Sequence, residues 1–419
     1  MRIKLLTIGT RGDVQPFIAL GVGLQKKGHD VVICTSEDFE GFVRAHGVGF
    51  APIRANMMKL TQSKEGQRML GRNPLEIMKQ MRRLIHPMIV QMLDDLWNAS
   101  QNAEVLIYHP KAFAGLDIAE KLNIPVFAAH PIPIIAPTGN FTNPILPFSF
   151  KNRWLNEKSY QINRLMTVSF HTLINTWRAG TLNLPPRSVF ANHLRINGSD
   201  IPVLYGCSPS IMPYDPKWRG RVCMEGFWFL EENEGSLPKE LEAFLASGKP
   251  PIVISYSSMP LKQPDKVMDM TKEALLRTGQ RGIILSGWSG MQESGNADGK
   301  MLCIQKASHT WLFPRAAGVI HHGGAGTTAA VLKAGKPMAI SPFTGDQHFW
   351  AKRMHALGVA TTPLPEKSLS VDSLADRIKA LTSNSDLIAH SMSLSKIVRQ
   401  EKGVERTVDF IERRLHDHI

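Results

Sequence analysis

Short apolar runs alternate with amphipathic stretches along almost the whole chain, and this alternation restricts its fold more than any other feature. The runs are four to seven residues long, which is the length of buried strands, and the stretches between them have helical periodicity. This order is typical of βαβ units, in which helices cover both faces of a parallel sheet. The sequence therefore predicts an α/β protein built from doubly wound parallel sheets.

The alternation is interrupted once and then restarts. A proline-rich stretch at about 209–217 and the acidic segment LEENEGSLP at 230–238 break it, and it resumes at PPIVISY, 250–256. A chain of 419 residues also exceeds what one ordinary core accommodates. We therefore predict two doubly wound, Rossmann-like domains that face each other across a cleft, with ligands bound beyond the carboxyl ends of the strands.

The apolar runs give the predicted strands and the periodic stretches give the predicted helices. Strands are predicted at 2–8, 30–35, 49–53, 104–108, 125–129, 202–205, 222–225, 250–256, 282–286, 301–305, 317–321, 337–341 and 359–362. Helices are predicted at 14–27, 38–46, as a pair over 58–100, and at 112–122, 155–180, 264–278, 326–334, 346–356, 371–382, 385–400 and 404–415.

Charge and hydropathy exclude several classes of protein. The net charge is +13, but no zinc-finger, helix-turn-helix or RNP signature accompanies it, so nucleic acid is not expected as a partner. Residues 57–83 carry seven Lys and Arg against two Glu, which fits either a solvated face or peripheral contact with a membrane surface. No apolar run reaches 18 residues, and the four cysteines form no C-x-x-C pair, so a cytoplasmic protein is expected.

The segment AGVIHHGGAGTTAAVLKAG, 317–335, is a buried strand, a glycine turn and a helix. Glycines in the turn let a ligand approach the backbone, and the amides of the following helix N-terminus favour an anion. His322 stands at the strand end, where it can donate to the same anion. Taken alone, the segment is also compatible with a simple tight turn.

A second polar pair follows one strand later, in SPFTGDQHFWAKR, 341–353. Asp346 and Gln347 together offer acceptors and donors at a spacing that suits adjacent sugar hydroxyls. An anion cradle and a polyol clamp together describe a site for a nucleotide sugar.

These two segments resemble the donor-binding signature of the family 1 UDP-glycosyltransferases. The form HHGGAGTT…AGKP…PFTGDQHFWAKR is most similar to that of the sterol glucosyltransferases, and the GTRGDVQP opening extends the resemblance over almost the whole chain. The resemblance implies the GT-B fold. It also implies an acceptor domain at 1–230, a donor domain at 231–400, and a C-terminal helix at 401–419 that joins the first domain.

The resemblance further implies roles for individual residues. Asp346 and Gln347 would hold the glucose hydroxyls, Trp288 would lie near uracil, and Ser258 would donate to the phosphates. His322 and the amides of the following turn would hold the diphosphate; the turn residues are Gly324, Ala325, Gly326, Thr327 and Thr328.

One departure from the family pattern affects the donor loop. Relatives have a glycine where this chain has Ser257, in SYSSM, 255–259, so the approach of that loop to the phosphates is in question. A catalytically silent nucleotide-sugar-binding protein therefore stays open as an alternative.

The remaining chemistry concerns the stretch TIGTRGDVQPFIALG, 7–21. Asp13 lies there between the first predicted strand and helix, where an aspartate can be a helix cap or a general base that takes the proton of an attacking alcohol. The resemblance to the sterol glucosyltransferases favours the role of general base for Asp13. Thr10, Arg11 and Gly12 are candidate contacts to the donor. His109 and His130, each before a proline at a strand end, are candidates to assist the base or line the acceptor pocket, or are plain core residues.

The acceptor side is indicated by methionines. Seven of nineteen lie within 57–92, and Met78, Met81 and Ile85 begin a stripe at helical spacing that could wall an apolar pocket or belong to the core.

The sequence as a whole predicts an inverting, metal-independent transfer of glucose from UDP-glucose to the hydroxyl of a lipophilic acceptor. A sterol or triterpenoid is expected first, and a macrolide, polyketide, flavonoid or lipid is the alternative. UDP-glucose is a co-substrate and no cofactor is expected. No metal is expected because the chain has no D-x-D motif, and no carboxylates are paired by motif as a glycosidase would require.

Overall fold

The structure is a computed structural model that describes residues 1–54, 83, 85–231, 238–256, 261, 263–287, 289 and 299–416. The chain forms two compact units. Unit 1 comprises 1–143, 150–231 and 402–419, and unit 2 comprises 144–149 and 232–401, so far as these residues are described. The α/β class with parallel sheets, predicted from the alternation of apolar runs, is confirmed.

Unit 1 is built on a seven-stranded parallel sheet with the order β3-β2-β1-β4-β5-β8-β9. Its central strands are apolar and largely buried, as expected for a sheet covered on both faces, whereas the edge strand β3 is only partly buried. The strands are β1 Arg2–Leu6, β2 Asp30–Ser36, β3 Gly49–Ile53, β4 Val105–Tyr108, β5 Val126–His130, β8 Val203–Tyr205 and β9 Val222–Met224.

Helices cover this sheet, and the C-terminal helix packs against the first one. They are α1 Arg11–Lys26, α2 Glu40–Arg44, α3 His86–Ser100, α4 Gly115–Leu122, α5 Arg153–Ser159, α6 Ile162–Val168, α7 His171–Gly180 and α15 Gly403–His416. A two-stranded hairpin, β6 Arg195–Ile196 and β7 Ser199–Asp200, lies outside the main sheet. Phe17 and Leu20 of α1 and Val408 and Ile411 of α15 belong to one buried cluster, so α15 is part of the core of unit 1.

Unit 2 repeats the design on a smaller scale, with a five-stranded parallel sheet of order β12-β11-β10-β13-β14. The strands are β10 Ile252–Ser255, β11 Gly282–Leu285, β12 Met301–Ile304, β13 Gly318–His321 and β14 Met338–Ile340. The helices are α8 Lys239–Ala246, α9 Pro264–Thr278, α10 His309–Leu312, α11 Ala325–Ala334, α12 Gln347–Ala356, α13 Val371–Ser383 and α14 Ser385–Gln400.

Each sheet reverses its strand order at one place, between β1 and β4 in unit 1 and between β10 and β13 in unit 2. In open parallel sheets the loops diverge at such a point, which leaves room for a ligand beyond the strand ends. The candidate residues Asp13 and His322 follow β1 and β13, so each lies at the reversal of its own sheet.

Three predicted elements differ from the structure. The stretch predicted as one helix at 155–180 is three helices, α5 to α7, and α1 begins at Arg11 rather than at 14. The predicted strand at 359–362 is reduced to a single bridge from Ala360 to Met338. Among the described residues no helix combines the length and the apolar character needed to cross a membrane.

Candidate active site

Asp13 lies in the first turn of α1, three residues after the residue that caps the helix, Thr10. Its Oδ2 accepts a hydrogen bond from the Thr10 backbone amide at 2.8 Å, which satisfies one of the free donors at a helix start. The prediction that Asp13 lies in the loop before the helix is therefore wrong, because Asp13 lies within the first turn of the helix. Gly9 makes the fold-back possible: its φ is +142°, and a Cβ there would lie 2.1 Å from Asp13 Oδ2.

The charge of Asp13 is balanced by Lys111, which follows β4. The Lys111 ammonium donates to both carboxylate oxygens, at 2.8 Å to Oδ1 and 2.9 Å to Oδ2. The Asp13 side chain is 12% exposed, whereas that of Lys111 is 53% exposed. The lysine therefore reaches in from solvent to an almost buried carboxylate.

His109, the residue directly after β4, also lies close to the Asp13 carboxylate. Its Nδ1 accepts the Lys111 backbone amide at 3.1 Å, so in the neutral ring Nε2 carries the hydrogen. That Nε2 lies 3.3 Å from Asp13 Oδ1, a contact too poorly aligned to count as a formed hydrogen bond, and it has no other partner among the described residues. His109 is fully buried, and its burial lowers its pKa, which keeps the ring neutral.

These contacts determine the charge state of Asp13. Burial alone raises the pKa of its carboxyl, but the contact from His109 and the positive charge of Lys111 together outweigh burial and hold the pKa far below its usual range. Asp13 is therefore ionised at every ordinary pH, and its charge is stabilised by the ring of His109 and the ammonium group of Lys111.

His130, at the end of β5, lies behind His109 with the ring centroids 4.5 Å apart. Its Nδ1 lies 2.9 Å from the backbone nitrogen of Ile132, and burial lowers its pKa well below the usual value. Asp13, His109 and His130 present possible metal-ligand atoms within 4.8 Å of one another. Because the Lys111 ammonium already contacts both Asp13 oxygens, a metal ion there would have to displace it.

The other candidates of this loop are more exposed. Thr10 directs both its amide and its hydroxyl to Asp13. The Arg11 side chain turns to its own helix, donating to Gln15 at 2.8 Å with its guanidinium 4.8 Å from the Phe42 ring centre. Gly12 is exposed at the first turn of α1.

In unit 2, the glycine turn after β13 brings its two signature segments together. Gly323 has a φ of +92°, and a Cβ there would lie 2.6 Å from Ile340 and 3.4 Å from the Cβ of Gln347. A Cβ on Gly324 would lie 2.5 Å from His322 Nε2. Both positions therefore need glycine for close approach, and His322 Nε2 lies directly over the start of α11.

The first turn of α11 supplies the amides expected to meet an anion. Ala325 is its first residue, Gly326 is exposed, and Thr327 is half-buried. Thr328 is buried and donates its hydroxyl to the Gly324 oxygen at 3.0 Å, so that hydroxyl caps the turn. No carboxylate lies in this first turn to compete with a bound anion.

His322 is buried at the end of β13, and its burial lowers its pKa. Its Nδ1 lies 3.5 Å from the backbone oxygen of Ser255 at the end of β10. A carbonyl only accepts, so this contact places the ring hydrogen on Nδ1 and leaves Nε2 as an acceptor in the neutral ring. Donation from Nε2 to an anion therefore requires the ring to take up a second proton.

Asp346 and Gln347 begin α12 and are held by specific partners. The Trp350 indole donates to Asp346 Oδ2 at 2.9 Å, and Gln347 Oε1 accepts the amides of Phe343 and Thr344 at 2.8 and 3.1 Å. The amide oxygen of Gln347 is therefore used within its own turn, and its NH₂ group is the part left to meet a ligand.

Three further buried polar atoms lie at strand ends of this sheet: the hydroxyls of Tyr256 and Ser341 and Nε2 of His321. Within the part of the chain that the structure describes, none of them makes a hydrogen bond that satisfies the usual geometry. Burial raises the pKa of Tyr256 to about 12 and lowers that of His321 well below its usual value, so both are neutral. Unpartnered buried polar groups are costly and are typical of functional sites.

Several candidates lie outside the described residues: Ser257, Ser258, Trp288, Met78 and Met81. Ile85, which belongs to the predicted methionine stripe, is buried. Met92 of α3 is also buried. No sequence signal marks Lys111 as the partner of Asp13, because the two are 98 residues apart and meet only through the pairing of β1 with β4.

Comparison with known proteins agrees with this architecture. The glycosyltransferase family 28 N-terminal domain matches residues 3–138, which include Asp13, His109, Lys111 and His130. The erythromycin biosynthesis protein CIII-like C-terminal domain matches residues 304–403, which include His322, Asp346 and Gln347.

Full-length relatives are similar over nearly the whole chain. The sterol 3-beta-glucosyltransferase UGT80B1 of Arabidopsis thaliana is 36% identical over 99% of this chain and 68% of its own length. The sterol 3-beta-glucosyltransferase of Pichia angusta is 31% identical over 98% of this chain, which spans only 33% of that protein. The UDP-sugar-dependent glycosyltransferase 52 of Dictyostelium discoideum is 31% identical over 99% of this chain and 26% of its own length.

Solved structures share the fold at lower identity. The glycotransferase of kitacinnamycin superposes with a TM-score of 0.74 at 17% identity, covering 99% of each chain. The spinosyn rhamnosyltransferase SpnG, complexed with thymidine diphosphate, gives a TM-score of 0.66 at 16% identity, covering 98% of this chain and all of that one. The predicted GT-B fold is thereby confirmed, and this chain belongs to the UDP-glycosyltransferase family, on the branch that contains the sterol 3-beta-glucosyltransferases.

Proposed function

We propose that this protein transfers glucose from UDP-glucose to the hydroxyl group of a lipophilic acceptor, a sterol first, with inversion at the anomeric carbon. The observation that carries the proposal is the ionised, nearly buried Asp13 at the strand-order reversal of unit 1. The sterol acceptor is supported by relatives that are named sterol 3-beta-glucosyltransferases, at 31–36% identity.

In the proposed reaction the acceptor oxygen attacks the anomeric carbon of glucose. The bond from that carbon to the UDP phosphate oxygen breaks, UDP leaves as an anion, and the hydroxyl proton passes to Asp13. A single displacement inverts the configuration, so an α-linked donor gives a β-glucoside.

The geometry favours Oδ1 of Asp13 as the oxygen that takes the proton. Oδ2 already accepts from the Thr10 amide and from Lys111, whereas Oδ1 has Lys111 as its one formed hydrogen bond among the described residues. A carboxylate oxygen has two lone pairs, so Oδ1 retains one for an acceptor hydroxyl. The exposed Lys111 can withdraw as the proton arrives.

The leaving group would be stabilised by unit 2. The first-turn amides of α11 offer hydrogen bonds without a competing carboxylate, and His322 would add one from Nε2 once its ring takes up a proton; together they suit a diphosphate. Asp346 and Gln347 would hold the sugar hydroxyls. No step in this scheme requires a metal ion, and we expect a chelator to leave turnover unchanged.

The direct test is UDP release from UDP-glucose in the presence of a sterol panel, with the product anomer assigned by NMR. A β-glucoside of a sterol would support the proposal. Activity on polyketides or flavonoids but never on sterols would replace the acceptor class. UDP binding without release on any acceptor would leave a silent nucleotide-sugar-binding protein.

A further inference from the structure

The helices α5 and α6 of unit 1 show reversed amphipathicity. Trp154 and Lys158 lie one turn apart on α5, Leu165 and Val168 lie one turn apart on α6, and all four are exposed. Trp154 is 64% exposed and Leu165 is 65% exposed. The exposed side of both helices therefore carries large apolar side chains.

The inward side of the same helices is polar and well satisfied. Buried Asn156 accepts from Thr142 at 2.6 Å and donates to the Gly139 oxygen at 3.0 Å. Asn163 donates to the Ile134 oxygen at 2.7 Å. α5, which buries Asn156 and exposes Trp154 and Leu155, is inverted relative to the ordinary pattern of a surface helix.

A third element extends the outward face. Phe190 is 77% exposed, and the guanidinium of Arg164 lies 5.8 Å from its ring centre and also donates to its backbone oxygen at 3.3 Å. We call Trp154, Leu155, Leu165, Val168 and Phe190 the outward face. A concentration of exposed large apolar side chains on neighbouring elements is a mark of an interaction surface.

The charges around the outward face indicate the partner. Residues 151–168, which form the two helices and their entry, carry four bases, Lys151, Arg153, Lys158 and Arg164, against one acid, Glu157. Glu157 is paired with Lys217 at 2.8 Å, and the Lys158 ammonium lies 5.7 Å from the Trp154 ring centre. Interfacial tryptophan among basic side chains on a helix is the composition of a membrane-surface segment.

We propose that the outward face of α5 and α6 docks onto an anionic lipid bilayer, with Trp154 and Leu165 as the inserted side chains. The helices rest on the loop that follows β5, because Asn163 bonds to Ile134, four residues after His130. The docked face therefore covers a loop that leaves the same sheet edge as Asp13. This deepens the proposed function, since a lipophilic acceptor would be taken from that bilayer.

The test measures co-sedimentation of the full chain with vesicles of phosphatidylcholine mixed with phosphatidylserine, without donor or acceptor. The variant Trp154→Ser/Leu165→Ser should bind at least about tenfold more weakly, since two buried apolar side chains are lost. The matched control is Leu276→Ser, an exposed leucine on α9 of unit 2, which should bind like the wild type. Lys151→Glu/Lys158→Glu should remove the preference for anionic over pure phosphatidylcholine vesicles.

Absence of wild-type binding at low salt, or equal binding by Trp154→Ser/Leu165→Ser, would overturn the proposal. So would a dimer in sedimentation velocity that the double substitution dissociates, because the face would then meet a second copy. Vesicle binding requires no turnover, so an inactive protein that binds vesicles through this face refutes only the glucosyl transfer. Turnover on detergent-dispersed acceptor together with unchanged vesicle binding by the double variant refutes only the docking.

Discussion

The strand-order reversals of the two sheets carry opposite kinds of chemistry. In unit 1 the reversal between β1 and β4 holds a charged carboxylate, Asp13, whose charge is balanced locally by Lys111. In unit 2 the reversal between β10 and β13 holds neutral buried groups, His322 among them, and glycines that clear the start of α11. Among the described residues, buried polar atoms without a hydrogen bond occur at both sites: Nε2 of His109 in unit 1, and the hydroxyls of Tyr256 and Ser341 and Nε2 of His321 in unit 2.

The difference follows from what each site would have to do. A general base must remain ionised while nearly buried, which requires a counter-charge in the free protein. A cradle for an anion must offer donors that no resident carboxylate occupies before the ligand arrives, which the first-turn amides of α11 do. The same sheet edge therefore serves a proton acceptor in one unit and an anion receptor in the other.

The largest effect is expected from Asp13→Asn. The amide cannot accept the acceptor's proton, so turnover should fall by at least about a hundredfold. Affinity for UDP, measured by calorimetry, should stay at the wild-type value because the donor cradle lies in unit 2. Unchanged turnover would reduce Asp13 to the partner of Thr10 in its helix turn.

The second effect concerns His322→Ala. Loss of a hydrogen bond to a charged group should weaken UDP binding by roughly ten- to a hundredfold. His355→Ala, an exposed histidine on α12, is the matched control and should bind UDP normally. A His322→Ala protein with wild-type affinity would remove this histidine from the cradle.

Lys111→Met should change the pH profile more than the maximal rate. The contact from His109 and the charge of Lys111 together hold the pKa of Asp13 low against burial, so removal of the lysine raises that pKa. The wild-type carboxylate is ionised at every ordinary pH and should show no acid limb there, whereas Lys111→Met should lose kcat/KM as the pH falls, because its base becomes protonated. Lys111→Arg and Lys121→Met, the latter on exposed α4 surface, should keep the wild-type profile; the same flat profile in Lys111→Met would contradict the role of the lysine.

The smallest expected effect is a proton taken up by His322 when UDP binds. The free ring is neutral because burial lowers its pKa, and a bound diphosphate favours the charged ring. UDP affinity should therefore rise as the pH falls, and it should rise less in His322→Gln, whose amide donates without a proton. The UDP phosphate titrates equally in both proteins, so equal pH dependence would mean that the ring stays neutral.

The sequence predicted what depends on local pattern. Both parallel sheets and the glycine turn at 323–326 followed from periodicity and from residue types that act on their own backbone. The strand at 359–362 was wrong because an apolar run alone does not show whether a neighbouring strand has room to pair beyond one bridge.

What depends on contacts across the sheet was not predictable. Lys111 reaches Asp13 only because β4 pairs with β1, and no local rule marks HPK as the partner of a carboxylate in another loop. The predicted start of α1, at residue 14, is too late because an aspartate before Val14 has the typical pattern of a helix cap. In the structure Thr10 caps the helix and Asp13 lies in its first turn. The reversed polarity of α5 and α6 was hidden by treating 155–180 as one helix.

The central claim is that the strand-order reversal of unit 1 holds the general base and that of unit 2 binds the diphosphate. The most direct test measures two quantities on each of two variants. UDP affinity and kcat are measured on the same preparations of Asp13→Asn and His322→Ala. We expect Asp13→Asn to lose kcat and keep UDP affinity, and His322→Ala to lose UDP affinity. Weakened UDP binding in Asp13→Asn with kcat retained would contradict the account.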